Sequence, residues 1–177
     1  MKIGIISDTH GDVFSFKMAL ENIFKDIDLI LHAGDILYHG PRNTLPSGYN
    51  PEKLANIINE LPTDILFSKG NCDSAVDQMM INMPILSNYL FISIEGYKIL
   101  LYHGDTKLNF KNIDFIITGH THIYNLQLSD STIFINPGSL SLPKNHNNGT
   151  CAILDISLNL INIYDISSSK SLMEAKF

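Results

Sequence analysis

Five short segments of the chain carry metal-binding side chains, each next to a glycine. The segments are Asp8-Thr9-His10-Gly11, His32-Ala33-Gly34-Asp35, Gly70-Asn71-Cys72-Asp73, Tyr102-His103-Gly104-Asp105 and Gly119-His120-Thr121-His122. The candidate ligands among them are carboxylates, imidazoles and one amide: Asp8, His10, Asp35, Asn71, His103, His120 and His122. Oxygen and nitrogen donors of this kind suit Mn, Fe, Co, Ni or Zn.

Seven donor groups exceed what one four-coordinate ion needs. Two ions that share a bridging carboxylate account for the number, and paired ions of this kind clamp the attacking and leaving oxygens of an in-line displacement. Taken one at a time, the same residues have ordinary explanations. Asp8 could form a turn, Asn71 is a common turn residue after glycine, and His103 could be a hydrogen-bonded core histidine. The hypothesis therefore rests on the joint pattern.

The elements that must position these segments are short buried strands and amphipathic helices. Apolar runs at 2–7, 29–31 and 65–68 indicate strands, and helical spacing of apolar residues marks helices at 13–24 and 51–61. Asn50 suits the cap of the second helix and Pro51 its first turn. This β-α-β-α-β order predicts a parallel sheet. Its strands end at metal-binding segments, which is where α/β proteins place their sites.

The second half of the chain contains mostly strands. Residues 89–94 and 98–102 flank Glu95-Gly96, a hairpin signal. Further strands are predicted at 115–118, 133–135, 152–156 and 160–164, with turns at 130–131 and 157–159, and residues 167–171 are placed at or beyond the edge of the packed domain. These strands favour a second sheet packed on the first.

Composition excludes several classes of protein. The chain has 177 residues, which favours a single domain over 1–177, and 45% of them are apolar, too many for a disordered chain. No apolar run reaches the roughly 20 residues that span a bilayer, and the opening segment is too short for a secretory signal, so we expect a cytoplasmic protein.

The net charge of −6 and the scattered Lys and Arg argue against a protein that tracks long nucleic acid. The apolar strands of the second half would suit a homo-oligomer.

In order, the five segments resemble the pattern of the calcineurin-like metallophosphoesterases: Asp-X-His, Gly-Asp, Gly-Asn, His and Gly-His-X-His. The loop at 39–49, the form Gly70-Asn71-Cys72-Asp73-Ser74 and the run Asn136-Pro137-Gly138-Ser139 resemble bacterial YfcE-type phosphodiesterases in particular. The resemblance implies an α/β fold, a four-layer αββα sandwich of two mixed β-sheets flanked by helices. It also implies metal-dependent hydrolysis of a small phosphodiester.

The same resemblance implies roles for individual residues. Asp8, His10 and His122 would hold one ion, Asn71, His103 and His120 the other, and Asp35 would bridge them. A hydroxide shared by the ions would attack phosphorus, with Asn71 and His120 as catalytic residues. Manganese is the expected ion, with Ni²⁺, Co²⁺, Zn²⁺ or Fe²⁺ as alternatives.

Two residues are expected to contact the substrate. Arg42, in the loop after Asp35, could bind a phosphate oxygen through its guanidinium group, or pin the loop by a salt bridge. Cys72 stands where many relatives have a histidine that serves as a candidate proton donor to the leaving group. Since a thiol is a weaker donor, we expect good leaving groups to be favoured, although Cys72 could also be a buried filler. Asp105 either orients a ligand or faces solvent.

Two other functions remain open from the sequence. A retromer subunit has the implied fold and acts as an interaction scaffold, so fold alone does not establish catalysis. A phosphomonoesterase or nucleotidase would use the same ligands. The complete set of donor groups favours the enzyme.

Overall fold

A computed structural model describes residues 1–129 and 131–177; Asp130, in the predicted turn at 130–131, lies outside the described residues. The helices are α1 (Val13–Asn22), α2 (Pro51–Asn59) and α3 (Ala75–Gln78). The strands of the first half are β1 (Lys2–Ile6), β2 (Leu29–His32) and β3 (Ile65–Phe67). Those of the second half are β4 (Tyr89–Ile94), β5 (Tyr97–Tyr102), β6 (Phe115–Ile117), β7 (Asn125–Ser129), β8 (Thr132–Asn136), β9 (Thr150–Asp155), β10 (Leu160–Asp165) and β11 (Ser171–Lys176).

The first sheet has six strands in the order β11-β10-β9-β1-β2-β3. β1 pairs with β2 and β2 with β3, both in parallel, as the β-α-β-α-β pattern predicts. β9, β10 and β11 extend the sheet by antiparallel pairing. The predicted turn at 157–159 joins β9 to β10. β1 lies inside this sheet and is buried from its second residue onward, which explains its continuous apolar run.

Helices α1 and α2 cover one face of this sheet and begin at side-chain caps. The carboxylate of Asp12 accepts the backbone N–H groups of Phe14 and Ser15 at the start of α1. Asn50 caps α2 through the N–H of Lys53, with Pro51 in the first turn, as predicted. Phe16 and Leu54 pack from these helices into a core shared with the sheet.

The second sheet has five strands in the order β4-β5-β6-β8-β7. The predicted hairpin is confirmed: β4 pairs antiparallel with β5, and Glu95 and Gly96 both have positive φ angles, of 48° and 89°. Two positive φ angles in a two-residue loop are the requirement of a type I′ turn. β5, β6 and β8 run parallel, so the carboxyl ends of β5 and β6 lie at the same edge. A second core, which includes Ile5, Leu31, Leu101 and Ile135, fills the space between the sheets.

The outer face of the second sheet is partly exposed to solvent. The two mixed sheets predicted from the sequence are present, with α1 and α2 packed on the first. Phe91 and Leu128 of the second sheet are 56% and 66% exposed. The parallel crossover from β5 to β6 covers only residues 103–114, near the minimum of about a dozen for such a connection.

We did not predict β7, β11 or α3. β7 and β11 lie at the edges of their sheets and are largely exposed. β11 lacks regular apolar alternation, whereas β7 alternates Leu126 and Leu128 with polar residues over only five positions, a short signal that we missed. β11 begins at Ser171, and residues 167–170 connect it to β10 at the edge of the sheet, as expected for 167–171. Helix α3 has only four residues and begins at a capping box between Ser74 and Asp77.

Candidate metal centre and substrate pocket

The predicted metal-binding segments meet where strands of both sheets end. The N–H of Asp8, after β1, donates to the carbonyl of Gly34, after β2, at 3.0 Å. Across the two sheets, the N–H of His120 donates to the carboxylate of Asp8 at 2.9 Å. The structure therefore brings together all the predicted ligands: Asp8, His10, Asp35, Asn71, His103, His120 and His122.

Asp8, His10 and His122 form the first group, and all three are buried. Oδ1 of Asp8 lies 3.2 Å from Nε2 of His122 and 3.8 Å from Nε2 of His10. Burial raises the pKa of Asp8, but His122, His103 and the hydroxyl of Ser7 more than offset it and hold that pKa below its usual value. Asp8 is therefore a carboxylate, the form that binds metal ions.

Asn71, His103 and His120 form the second group. Nε2 of His103 lies 3.1 Å from Oδ1 of Asn71 and 3.2 Å from Nδ1 of His120. Asp35 lies between the two groups, since its Oδ2 is 3.6 Å from Nε2 of His103 and 3.8 Å from Nε2 of His10. Asp35 is thus adjacent to both groups.

The imidazole rings are oriented by the backbone. Nδ1 of His10 contacts the carbonyl of Tyr38 at 2.8 Å, Nδ1 of His103 that of Ala33 at 2.7 Å, and Nδ1 of His122 that of Leu142 at 2.7 Å. Because a carbonyl only accepts, each Nδ1 must carry the proton, which leaves the Nε2 lone pair of each neutral ring free. All three lone pairs face the Asp8 and Asp35 carboxylates.

Such a concentration of lone pairs fits divalent cations. The Nε2 atoms of His10 and His122 are 3.3 Å apart, and in the neutral rings neither has a proton to donate. Oδ1 of Asp8 is fully buried and has no hydrogen-bond partner among the described residues. Buried acceptors without donors are costly unless a cation satisfies them. Oxygen and nitrogen donors in this arrangement suit the ions that the sequence predicts.

The backbone at the site is held in an uncommon conformation. Non-glycine residues with left-handed φ angles between 46° and 66° include five predicted ligands: Asp8, His10, Asp35, His120 and His122. Each such residue costs of the order of 1 kcal/mol or more, and surrounding contacts must enforce it.

Asp73 supplies one of those contacts. Its carboxylate accepts the N–H groups of Asp35, Ile36 and Gly70 at 2.9, 2.8 and 2.7 Å, and so joins the second and third loops. The fit is close, since a Cβ atom at Gly70 would collide with the backbone and carboxylate of Asp35. The sequence pattern shows Asp73 only as a polar residue in a turn, and we did not predict its role.

Asn136, the last residue of β8, and Ser139 just after it hold two further ligand loops in the same way. The amide of Asn136 donates to the carbonyl of Gly119 at 2.8 Å, and the hydroxyl of Ser139 donates to the carbonyl of Asp8 at 2.8 Å. The run Asn136-Pro137-Gly138-Ser139, which carried part of the family resemblance, therefore contacts two ligand loops directly.

A pocket of about 660 Å³ opens over the predicted ligands. Arg42 and Cys72, the predicted substrate contacts, both line it, together with Tyr38, Asn43 and Lys144. Sequence reasoning missed Lys144, which follows no strand and belongs to no motif. Its N–H donates to the carbonyl of His122 at 2.9 Å, which fixes its backbone beside the metal-binding group.

The remaining candidates lie outside the centre. Asp105 is exposed and borders a neighbouring cavity with Lys69 and Tyr89, so it faces solvent. His32 is fully buried, as expected; its Nδ1 accepts the N–H of Gly34, so its Nε2 donates to the hydroxyl of Thr9 at 2.7 Å. His39 and His146 lie in loops, also as expected.

Comparison with known proteins places this geometry in a family. Residues 1–159 match the calcineurin-like phosphoesterase superfamily domain. The chain belongs to this superfamily. The membership confirms both the resemblance drawn from the five segments and the phosphoesterase class of enzyme.

Among the curated relatives of the superfamily, phosphodiesterase YfcE of Escherichia coli K12 is 34% identical over 161 residues, which cover 88% of each chain. Phosphodiesterase MJ0936 of Methanocaldococcus jannaschii is 28% identical over 152 residues, 78% of this chain and 83% of that one. The solved structure of the phosphoesterase YfcE from E. coli superimposes with a TM-score of 0.90 at 30% identity and covers 99% of both chains. This likeness confirms the predicted fold class.

More distant superfamily structures share the fold alone. Vps29 of Entamoeba histolytica, solved with Zn²⁺, has a TM-score of 0.65 and 20% identity, with 99% of each chain covered.

Across residues 1–129 and 131–177, no helix has the length and apolar character needed to cross a bilayer.

Proposed function

We propose that the chain is a phosphodiesterase that depends on two divalent metal ions. One observation carries the proposal: three buried or nearly buried histidines are fixed by backbone carbonyls at Nδ1 and direct their Nε2 lone pairs at two carboxylates. A purely structural cluster would pair each acceptor with a donor. The family membership and the phosphodiesterase names of the relatives support the same reaction.

Each residue has a proposed place in the centre. Asp8, His10 and His122 would hold one ion, and Asn71, His103 and His120 the other, with Asp35 shared between them. The short distances within each group and the position of Asp35 between them support this division. Manganese is the proposed ion, with Ni²⁺, Co²⁺, Zn²⁺ or Fe²⁺ as the other ions that this donor set accepts.

Bound ions would supply charge stabilisation at phosphorus and acidify the water that becomes the nucleophile. The side chains of the protein would position the substrate phosphate and neutralise its negative charge. Arg42 and Lys144 line the pocket and add positive charge to a protein of net charge −6. Asn71 and His120 line the same pocket and also contact His103 of the second group, which supports their proposed catalytic roles.

The proposed substrate is a small phosphodiester, which a pocket of about 660 Å³ can hold. We propose a cytoplasmic location, in keeping with the two free cysteines.

The deciding experiment is hydrolysis of an aryl phosphodiester and the matching monoester by metal-stripped protein, with Mn²⁺, Ni²⁺, Co²⁺, Zn²⁺ or Mg²⁺ restored in turn. We expect the diester to be cleaved only after restoration, most rapidly with Mn²⁺. Asp8→Asn, which removes a ligand charge, is the inactive control. Monoester preference would indicate a phosphatase, and absence of rescue by every ion would indicate a scaffold like the retromer subunit.

A further inference from the structure

Cys72 lines the pocket and also contacts two of the proposed metal ligands directly. Its backbone N–H donates to Oδ1 of Asp35 at 2.8 Å, and the Nδ2 group of Asn71 donates to its sulfur at 3.3 Å. The backbone of Cys72 is therefore held by the proposed bridging ligand, and its sulfur by a proposed ligand of the second ion.

The sulfur belongs to a three-residue group of potential ligand atoms. One atom each of His10, Asp35 and Cys72 lie within 4.8 Å of one another, and no disulfide engages the sulfur. Ligand atoms around a tetrahedral ion at about 2.0–2.3 Å stand roughly 3.3–3.8 Å apart. Small side-chain movements would thus bring the three atoms to binding distance.

The same imidazole of His10 also lies near the unpaired oxygen of Asp8. Oδ1 of Asp8 is completely buried, has no hydrogen-bond partner among the described residues, and lies 3.8 Å from Nε2 of His10. An ion bound near His10 would satisfy it. The imidazole of His10 therefore has a carboxylate oxygen without a donor on one side, and on the other belongs to the group with Asp35 and Cys72.

We propose that Cys72 binds thiophilic divalent ions, such as Co²⁺, Zn²⁺ and Cd²⁺, through its sulfur, together with His10 and Asp35. The proposal rests on the proposed function, because it adds a donor to that metal centre. Binding releases the thiol proton to solvent and forms the sulfur–metal bond, with no change of oxidation state. Mn²⁺, which prefers oxygen and nitrogen, would gain little from the sulfur. Cys72 thus raises the affinity of the centre for thiophilic ions, while the oxygen and nitrogen ligands bind the Mn²⁺ of the proposed function.

Absorption spectroscopy of the cobalt-loaded protein tests the proposal directly. A thiolate ligand gives a near-ultraviolet sulfur-to-cobalt charge-transfer band, whereas the visible d–d bands and elemental analysis report bound cobalt regardless of sulfur. We expect the charge-transfer band in the wild type, its loss in Cys72→Ser, and its retention in Cys151→Ala. Cys151 is the matched control because it is the other cysteine of the chain and is buried in the core between helices and sheet.

A binding titration supplies the second measurement. Cys72→Ser should weaken Cd²⁺ binding by about tenfold or more, while Mn²⁺ affinity changes by less than about threefold. Equal losses for both ions would mean that the substitution only disturbs the loop, and would overturn the proposal.

The outcomes separate this proposal from the proposed function. Cobalt bound with d–d bands but without the charge-transfer band would overturn sulfur ligation and leave the two-metal phosphodiesterase intact. Absence of any bound cobalt in a folded wild type would overturn both.

Discussion

Nε2 of His10 and Nε2 of His122 lie 3.3 Å apart, although 112 positions separate the two residues in the chain. β1 ends before one of them and β6 before the other, so each sheet contributes one imidazole. The two sheets can pack with these lone pairs facing each other at full stability only if a cation or a proton lies between them. Metal binding and folding stability are therefore coupled in this protein.

The first prediction follows from that coupling. Adding Mn²⁺ at about 100 times its dissociation constant to stripped protein should contribute about 2.7 kcal/mol, and raise Tm by about 5–10 °C. Differential scanning calorimetry measures the shift. His122→Ala should abolish most of it, whereas His146→Gln, a histidine outside the centre, should keep it. An equal shift in His122→Ala would contradict the coupling.

Asp73 should act on the centre without touching an ion. In Asp73→Asn the side chain loses its charge and turns an NH₂ group towards backbone donors, so the free energy of unfolding should fall by about 1–3 kcal/mol. Since Asp35 and Gly70 lose their support, metal affinity should fall by about 10–100-fold. Urea unfolding and metal titration measure the two effects. Asp77→Asn, which disturbs only the exposed cap of α3, is the control and should leave metal affinity unchanged.

Cys72 should be a poor proton donor to the leaving group. In the metal-free protein, burial and the Asp35, Asp73 and Asp8 carboxylates raise the pKa of Cys72 to about 12. Hydrolysis rates across aryl and alkyl phosphodiesters should therefore fall steeply as the leaving-group pKa rises. Cys72→Ala should keep the same slope. A flat dependence in a chemistry-limited step would show that an acid assists departure.

Arg42 should contribute to substrate binding. It lines the pocket from the loop after Asp35, and its loss should raise KM about tenfold, the equivalent of one charge-assisted hydrogen bond. Steady-state kinetics of Arg42→Ala provide the test, with Lys53→Ala on the exposed side of α2 as the matched loss of a cation. Unchanged KM and turnover in Arg42→Ala would remove the residue from the site.

The folding stability of the protein should fall in acid partly because of Asp165, a carboxylate outside the metal centre. Burial raises the pKa of Asp165, but hydrogen bonds from Asn148, His146 and the backbone of Ser167 and Ser168 more than offset it, so the pKa lies below its usual value. The unfolded chain binds a proton there before the folded protein does. The stabilisation is thus complete above the unfolded pKa of about 4 and is lost as pH falls towards the folded value.

Asp165→Asn should therefore cost about 2 kcal/mol at neutral pH, and this cost should shrink below about pH 4. Chemical denaturation at a series of pH values follows the difference. The exposed Asp64→Asn is the control, with little change at any pH. A difference between wild type and Asp165→Asn that stays constant down to pH 2 would contradict the assigned cause.

The sequence predicted those features that depend on buried periodicity and on strand ends. β1, β2 and β3 are recognisable as apolar runs, and the end of a parallel strand determines where the next polar residue lies; this is why Asp8, Asp35 and Asn71 could be grouped in advance. Edge strands such as β7 and β11 have no comparable signal, since half or more of their side chains face solvent. The roles of Asp73 and Lys144 depend on backbone groups distant in sequence, which periodicity does not encode.

Five of the predicted ligands occupy left-handed backbone conformations that glycine would adopt at less cost. Replacing one of them, such as His120, by glycine would relieve that local strain while removing a donor from the centre. Laboratory evolution of this protein for thermal stability alone would then lose the proposed metal ligands early, because substitutions that relieve backbone strain at these positions raise stability. A screen for robust variants should score turnover in every round.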